Sequence, residues 1–147
     1  DLIVGPTPAR RIDDPAAPLD PDVRPRIAAG RDISARAYLE ALHQRALMKQ
    51  QFAQAMDGLD ALLTPSTMTT ALPLAEVDQT KAPAHYTRFG NYLDLCALSL
   101  PNGSDPQGLP TSLQIVCRGE REDLALRIGW AFEQETDWHA RRPSGWA

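Results

Sequence analysis

Tyr86-Thr-Arg-Phe-Gly-Asn-Tyr-Leu-Asp-Leu-Cys-Ala-Leu-Ser-Leu-Pro-Asn-Gly103, followed after Ser104–Gln107 by Gly108-Leu-Pro-Thr-Ser-Leu-Gln-Ile-Val-Cys117, decides how this chain is read. Tyr86 to Leu95 is compatible with a short helix. Ala97-Leu98-Ser99-Leu100 is an apolar run stopped by Pro101, which cannot donate to a strand ladder, so it reads as a buried strand that ends there. Asn102-Gly103 through Gly108 has turn chemistry. From Thr111 to Cys117 the residues alternate, with Leu113, Ile115 and Cys117 on one face and Ser112, Gln114 and Val116 on the other. An apolar face opposite a mostly polar one is a strand pattern.

Downstream, Glu122 to Thr136 reads as a helix. Glu120, Glu122 and Asp123 suit its positive N-terminal end. Leu124, Ile128, Ala131 and Phe132 form its buried stripe, and Leu126 with Trp130 makes a second apolar pair off it, which either widens the buried face or stays exposed where nothing covers it. Upstream, Ala61-Leu62-Leu63-Thr64 before Pro65 is a short continuous apolar run, as in strands buried on both faces. Met68 to Ala84 has no period and reads as a long surface loop, the kind that carries specificity. Ser34 to Met56 is helical in pattern: Tyr38, Ala41, Leu42, Met48, Phe52, Ala55, Met56 and Leu59 recur mostly at threes and fours, with Arg45 interrupting. Asp32 or Ser34 caps its start, Gly58 marks its stop, and Lys49 faces away. Residues 1–25 hold six prolines and read as an extended arm. Residues 26–138 are the folded part and 139–147 an irregular tail. The order is helix, strand, loop, short helix, strand, turn, strand, helix. That is an α/β arrangement with a small sheet, at least one edge of which lacks a partner.

Hydrophobic residues make up 43% of the 147 and charged residues 23%, so the chain can fold around one core. The net charge of -4 provides no basic excess for nucleic acid, and no apolar run is long enough to span a membrane. The chain opens on Asp1 without a charged leader, as expected if a leader was removed or a longer polypeptide precedes it. Cys96 and Cys117 form no CxxC. They read as two reduced, buried thiols of a cytoplasmic protein, with a disulfide as the alternative. His43, His85 and His139 show no ligand spacing with them, so neither metal nor cofactor is expected.

Taken alone, the residues supply no active site. Serine hydrolysis needs a nucleophile, a base and oxyanion donors. None of the serines sits in Gly-x-Ser-x-Gly, and no two glycines are adjacent. Asp13-Asp14 and Glu122-Asp123 read as solvated or capping charges.

Tyr86–Gly103 and Gly108–Ile115 nevertheless resemble the amidase signature family. So does Asp60-Ala-Leu-Leu-Thr-Pro-Ser66, similar to the family's D-x-L-(L/I)-x-P-T strand end with Ser66 in the threonine's place. Leu19 to Gly30, followed by Ile33-Ser34, resembles the V-x-x-R-I-x-x-G approach to a long helix. The resemblance covers roughly Asp20 to Trp138. It implies the C-terminal part of an α/β/α fold, here a small mixed sheet flanked by helices. It also implies hydrolysis of a carboxylic amide by a Ser–cis-Ser–Lys triad, in which lysine serves the bridging serine, which relays the proton of the attacking serine. Those residues belong to the family's N-terminal half, in and before a Gly- and Ser-rich segment that nothing here matches. Lys49 and Lys81 stand in unlike contexts, so no triad residue is carried over.

The resemblance does carry over a cleft wall: Thr64, Pro65, Ser66 and Thr67 at the strand end, Thr87 and Asn91 of a T-x-x-x-N element, and Arg26 of R-I-x-x-G. In the A-type subunits of amidotransferases an arginine and an aspartate from these neighbourhoods help hold glutamine. The aspartate position, three before Thr87, is Ala84 here. Asp94-Leu-Cys96-Ala97 also departs from the usual G-x-P-A and is similar to the N-x-L-D-L of allophanate-hydrolase-type amidases. Three readings follow: part of an amidase acting on a small amide, completed by a missing N-terminal half; a non-catalytic remnant or interaction module that self-associates through its sheet edge; or an amidotransferase A-type subunit.

Overall fold

The computed structural model describes residues 12–78, 83–143 and 145; the first eleven residues of the arm, part of the long loop including Lys81, and part of the tail lie outside these. Backbone contacts divide the chain into two compact units, Asp1–His43 and Gln44–Ala147.

In the first unit, α1 (Arg24–Ala28) passes into a 3-10 turn, Ala29–Asp32. A Pro-rich segment has few backbone donors, so its carbonyls need partners from elsewhere. Arg24 supplies them. Its Nη1 donates to the carbonyls of Ile12 (2.6 Å) and Asp14 (3.2 Å), and its Nη2 to that of Ala17 (3.1 Å). Arg31 pairs with Asp13 at 2.6 Å.

Helix α2 (Ala35–Ala55) runs across the division between the units. The backbone N–H of Ala37 donates to Ser34 Oγ at 3.1 Å, so Ser34 is the cap. Gly58, at φ 71°, turns the chain away after the helix. The expected stripe is present but uncovered. No residue within α2 is buried, Tyr38, Leu42 and Met48 are exposed, and Met56, just past the helix, is the buried member. An apolar stripe buries only where something lies on it.

The second unit holds a three-stranded sheet in the order β1-β3-β2, with β1 at Leu62–Pro65, β2 at Cys96–Ser104 and β3 at Pro110–Cys117. Both pairings are antiparallel, where a mixed sheet was expected. Strand β1 is an edge strand, and Leu63 is exposed where burial on both faces was expected. A continuous apolar run shows what a strand can bury, not what is present to cover it. Nor does Pro101 end β2, which continues through Asn102-Gly103 to Ser104. The reason lies in the ladder. Ser66 N–H donates to Ser112 O at 3.1 Å, so the backbone of Ser112 faces β1. Pro101, opposite Ser112 at a register irregularity, is therefore asked for no N–H. The turn itself is the stretch from Asp105 to Gly108.

Leu100, Ile115, Cys117, Leu124 and Ala125 form the core, with Leu98, Leu113, Ile128 and Phe132 packed around them. Helix α4 (Glu122–Gln134) covers this sheet face. Its buried residues are Leu124, Ala125 and Gly129, whereas Ala131, expected in the stripe, is exposed. A Cβ on Gly129 would stand 2.5 Å from Leu98 Cδ2, so the missing side chain sets how closely helix and strand approach. Leu126 and Trp130 are 60% and 64% exposed and form a separate outward pair, as expected where the family's other half is absent and not as part of a wider buried face. The tail begins with a 3-10 turn, Trp138–Ala140, packed against β2, and the Arg141 guanidinium lies 3.8 Å from the Trp138 ring centroid.

Helix α3 (Arg88–Leu93) hands the chain to β2 through Asp94, which is left-handed at φ 54°. This is the position at which the resemblance leads one to expect glycine, and the backbone keeps the conformation glycine favours. The aspartate is held from α2. Lys49 Nζ lies 2.8 Å from its Oδ2, Arg45 Nη2 bonds its Oδ1, and Arg45 Nε donates to Tyr92 O at 2.6 Å. The Lys49 hydrogen bond, joined by the charge of Arg45, holds the Asp94 carboxyl below its ordinary pKa.

Candidate functional site

The site is built at the end of β1. Pro65 closes the strand, and the chain then crosses the sheet end as Ser66-Thr67-Met68. Gln114, buried in the central strand, fixes this end. Its Nε2 donates to Thr64 Oγ1 at 3.0 Å and to Tyr86 O at 2.8 Å, joining β1 to the approach to α3. A buried amide is tolerated only when its donors are engaged, and here both are directed. Ser66 is buried, with its Oγ 2.7 Å from Ser99 Oγ. Thr67 Oγ1 donates to Thr69 O at 2.8 Å.

These residues border a groove of about 730 Å³, whose wall includes Thr64, Pro65, Thr67, Tyr86, Asn102 and Asp105. Three of the residues chosen from sequence, Thr64, Pro65 and Thr67, line it together. Ser66 is absent from the wall because its hydroxyl faces Ser99. Thr87, half-buried before α3, and Asn91, exposed on α3, do not line it either. Arg26 is exposed on α1 in the other unit.

Tyr86, Asn102 and Asp105 were missed. Only Asp105 carried a readable signal, the Asp-Pro-x-Gly turn. Its Oδ1 accepts the N–H groups of Gln107 and Leu109, each at 2.9 Å, and its Oδ2 accepts the Thr70 hydroxyl at 2.6 Å. The Thr70 hydrogen bond first, and the turn N–H groups after it, hold this carboxyl below its ordinary pKa. A carboxyl with a lowered folded pKa contributes stability that is present above the unfolded value, about 3.9, and is lost as pH falls through the folded one. Urea midpoints measured from about pH 5 to about pH 3 should therefore fall less steeply in Asp105→Asn than in the parent. Equal slopes would show that Asp105 does not anchor the Thr70 loop.

Among the described residues, the wall has polar groups to hold and orient a ligand but no nucleophile with its base. Ser66 and Ser99 face each other. Lys49, the one lysine among the described residues, is engaged by Asp94.

Comparison with known proteins shows the family and the fold. The family model described as Amidase matches residues 13–126. The A subunit of the glutamyl-tRNA(Gln) amidotransferase of Microcystis aeruginosa is 39% identical over 111 residues, which are 73% of this chain and 23% of that protein. A solved structure described as an amidase superposes with a TM-score of 0.72 at 25% identity, covering 80% of this chain and 29% of the other. That of a 6-aminohexanoate cyclic dimer hydrolase with its substrate shares the fold, with a TM-score of 0.72 over 88% of this chain and 31% of the other, at 20% identity. The chain thus spans about a quarter of the length of the curated relatives it matches. Among the described residues no catalytic triad is visible, and the chain belongs to the amidase family, corresponding to the C-terminal part of its members.

Proposed function

We propose that this chain forms one wall of the amide-binding groove of an amidase whose Ser–cis-Ser–Lys triad lies in polypeptide other than these 147 residues. The observation that carries the reading is the strand end itself. Thr64, Pro65 and Thr67 open on the groove, while the buried serine beside them and the described lysine are engaged elsewhere. Such a wall acts by holding a small amide in register for attack by groups it does not itself supply. The remaining polypeptide would also cover Leu126, Trp130 and the free edges of β1 and β2. The two free cysteines support a cytoplasmic setting.

The test is ammonia release from a panel of small neutral amides. These residues alone should release none above buffer, and the full product of the gene should turn substrate over. In that product, Thr64→Val combined with Thr67→Val should raise KM about tenfold with a smaller change in kcat, the loss of roughly 1.4 kcal/mol of hydrogen bonding. Hydrolysis by the 147 residues alone, or an unchanged KM in the double variant, would overturn the proposal. A second reading, in which the chain is part of an amidotransferase, is favoured by the name of the Microcystis relative. Ala84 counts against glutamine as substrate. Glutamine in the same panel, turned over faster than neutral amides, would select the amidotransferase reading.

A further inference from the structure

We propose that Cys96 and Cys117 form a reversible thiol–disulfide couple across the β2–β3 ladder, with hydrogen peroxide as oxidant. The two residues are direct partners in the antiparallel register, and both are free cysteines. Directly opposite residues project to the same face of a sheet. Cys117 is a member of the core cluster and Cys96 packs against it, which places both thiols on the α4 side. The Cα spacing of the ladder lies within reach of a bond. Because Ser112 faces β1, the alternate residues Leu113, Ile115 and Cys117 face β2, and Cys96–Cys117 is a hydrogen-bonded pair. Such pairs stand about 5.5 Å apart between Cα atoms, inside the span that a disulfide bridges.

The two sulfurs differ in access. Cys117 is fully buried, and burial, with Cys96 beside it, raises its thiol pKa. Cys96 is half-buried, its Sγ 3.3 Å from Arg118 O, and is the sulfur that an oxidant reaches first. The Cys96 sulfur attacks one peroxide oxygen, the O–O bond breaks, and hydroxide leaves and takes up the thiol proton as water. Cys96 is then a sulfenic acid. The Cys117 sulfur attacks the Cys96 sulfur, the S–S bond forms and the S–O bond breaks. The Cys117 proton leaves with the departing hydroxide as a second water. Two thiols lose two electrons and one peroxide gains them. A dithiol reductant reverses the change by thiol–disulfide exchange.

The pair closes the ladder end remote from the Asn102–Thr111 hairpin end that borders the groove. Its test therefore needs no amide turnover. The native protein is treated with dilute peroxide, then unfolded in urea and blocked with an alkylating reagent, and examined by intact mass and non-reducing peptide mapping. The expected product lacks two hydrogens, carries no alkyl group, and yields one peptide linking Cys96 to Cys117; dithiothreitol restores both thiols. Cys96→Ser, a change at a half-buried site, should leave Cys117 a thiol after the same treatment. Overturning results are two alkylated cysteines after peroxide, a sulfinic acid on Cys96 beside an intact Cys117 thiol, or a disulfide joining two chains.

Discussion

Gly119→Ala is expected to lower the unfolding free energy by about 3 kcal/mol, with a fall in Tm of roughly 8 °C for a chain of this size. A Cβ at this position would stand 2.4 Å from the carbonyl oxygen of Asp94. That neighbour is backbone, so no rotamer change relieves the clash. The next residue, Glu120, is itself left-handed at φ 62°, and Asp94 is left-handed at φ 54°. Two turns in sparsely populated conformations therefore meet back to back, and neither has an easy direction in which to yield. Urea unfolding of parent and variant measures the difference. A loss within about 0.5 kcal/mol, the range of ordinary surface substitutions, would show that the contact is not kept in solution.

Ile115→Ala should cost about 4 kcal/mol. Ile115 is fully buried on the central strand, opposite Leu98 on β2, in the cluster beneath α4. The change removes three carbons from a site walled by a sheet on one side and a helix on the other, so the cavity cannot readily collapse. Ile115→Val serves as the graded control at about 1 kcal/mol. If the alanine variant lost no more than the valine variant in urea unfolding, this cluster would not be the main core of the second unit.

Local periodicity was enough to locate α2, α4 and β3, because each carries its own spacing of apolar residues, whereas the segment of α3 was only compatible with a short helix. Ser34 and Gly58 bound α2 in the structure as they do in the sequence. What failed depended on neighbours. The length of β2 was misread at Pro101, since a proline stops only a strand that owes an N–H at that point, and which strand owes it depends on the ladder. Gly129 carried no apolar signal, yet it belongs to the buried face that Ala131 was expected to share. The groove shows the same division. Thr64, Pro65 and Thr67 were legible as one contiguous strand end. Tyr86, Asn102 and Asp105 join them only after the β2–β3 hairpin and the segment before α3 are brought alongside, which no local pattern specifies.

The Asp94 corner is tied to two helix positions far from it in the chain. A left-handed turn passes freely from one residue to another only when the newcomer tolerates the geometry, and glycine does so unaided. Aspartate there relies on Arg45 and Lys49 from a helix about fifty positions earlier. Glycine at the turn would leave both cations as solvated surface charges, whereas with aspartate there the loss of either cation takes a partner from the carboxylate. Lineages within the family that carry aspartate at this position should keep positive charge at both helix positions, whatever amide they hydrolyse.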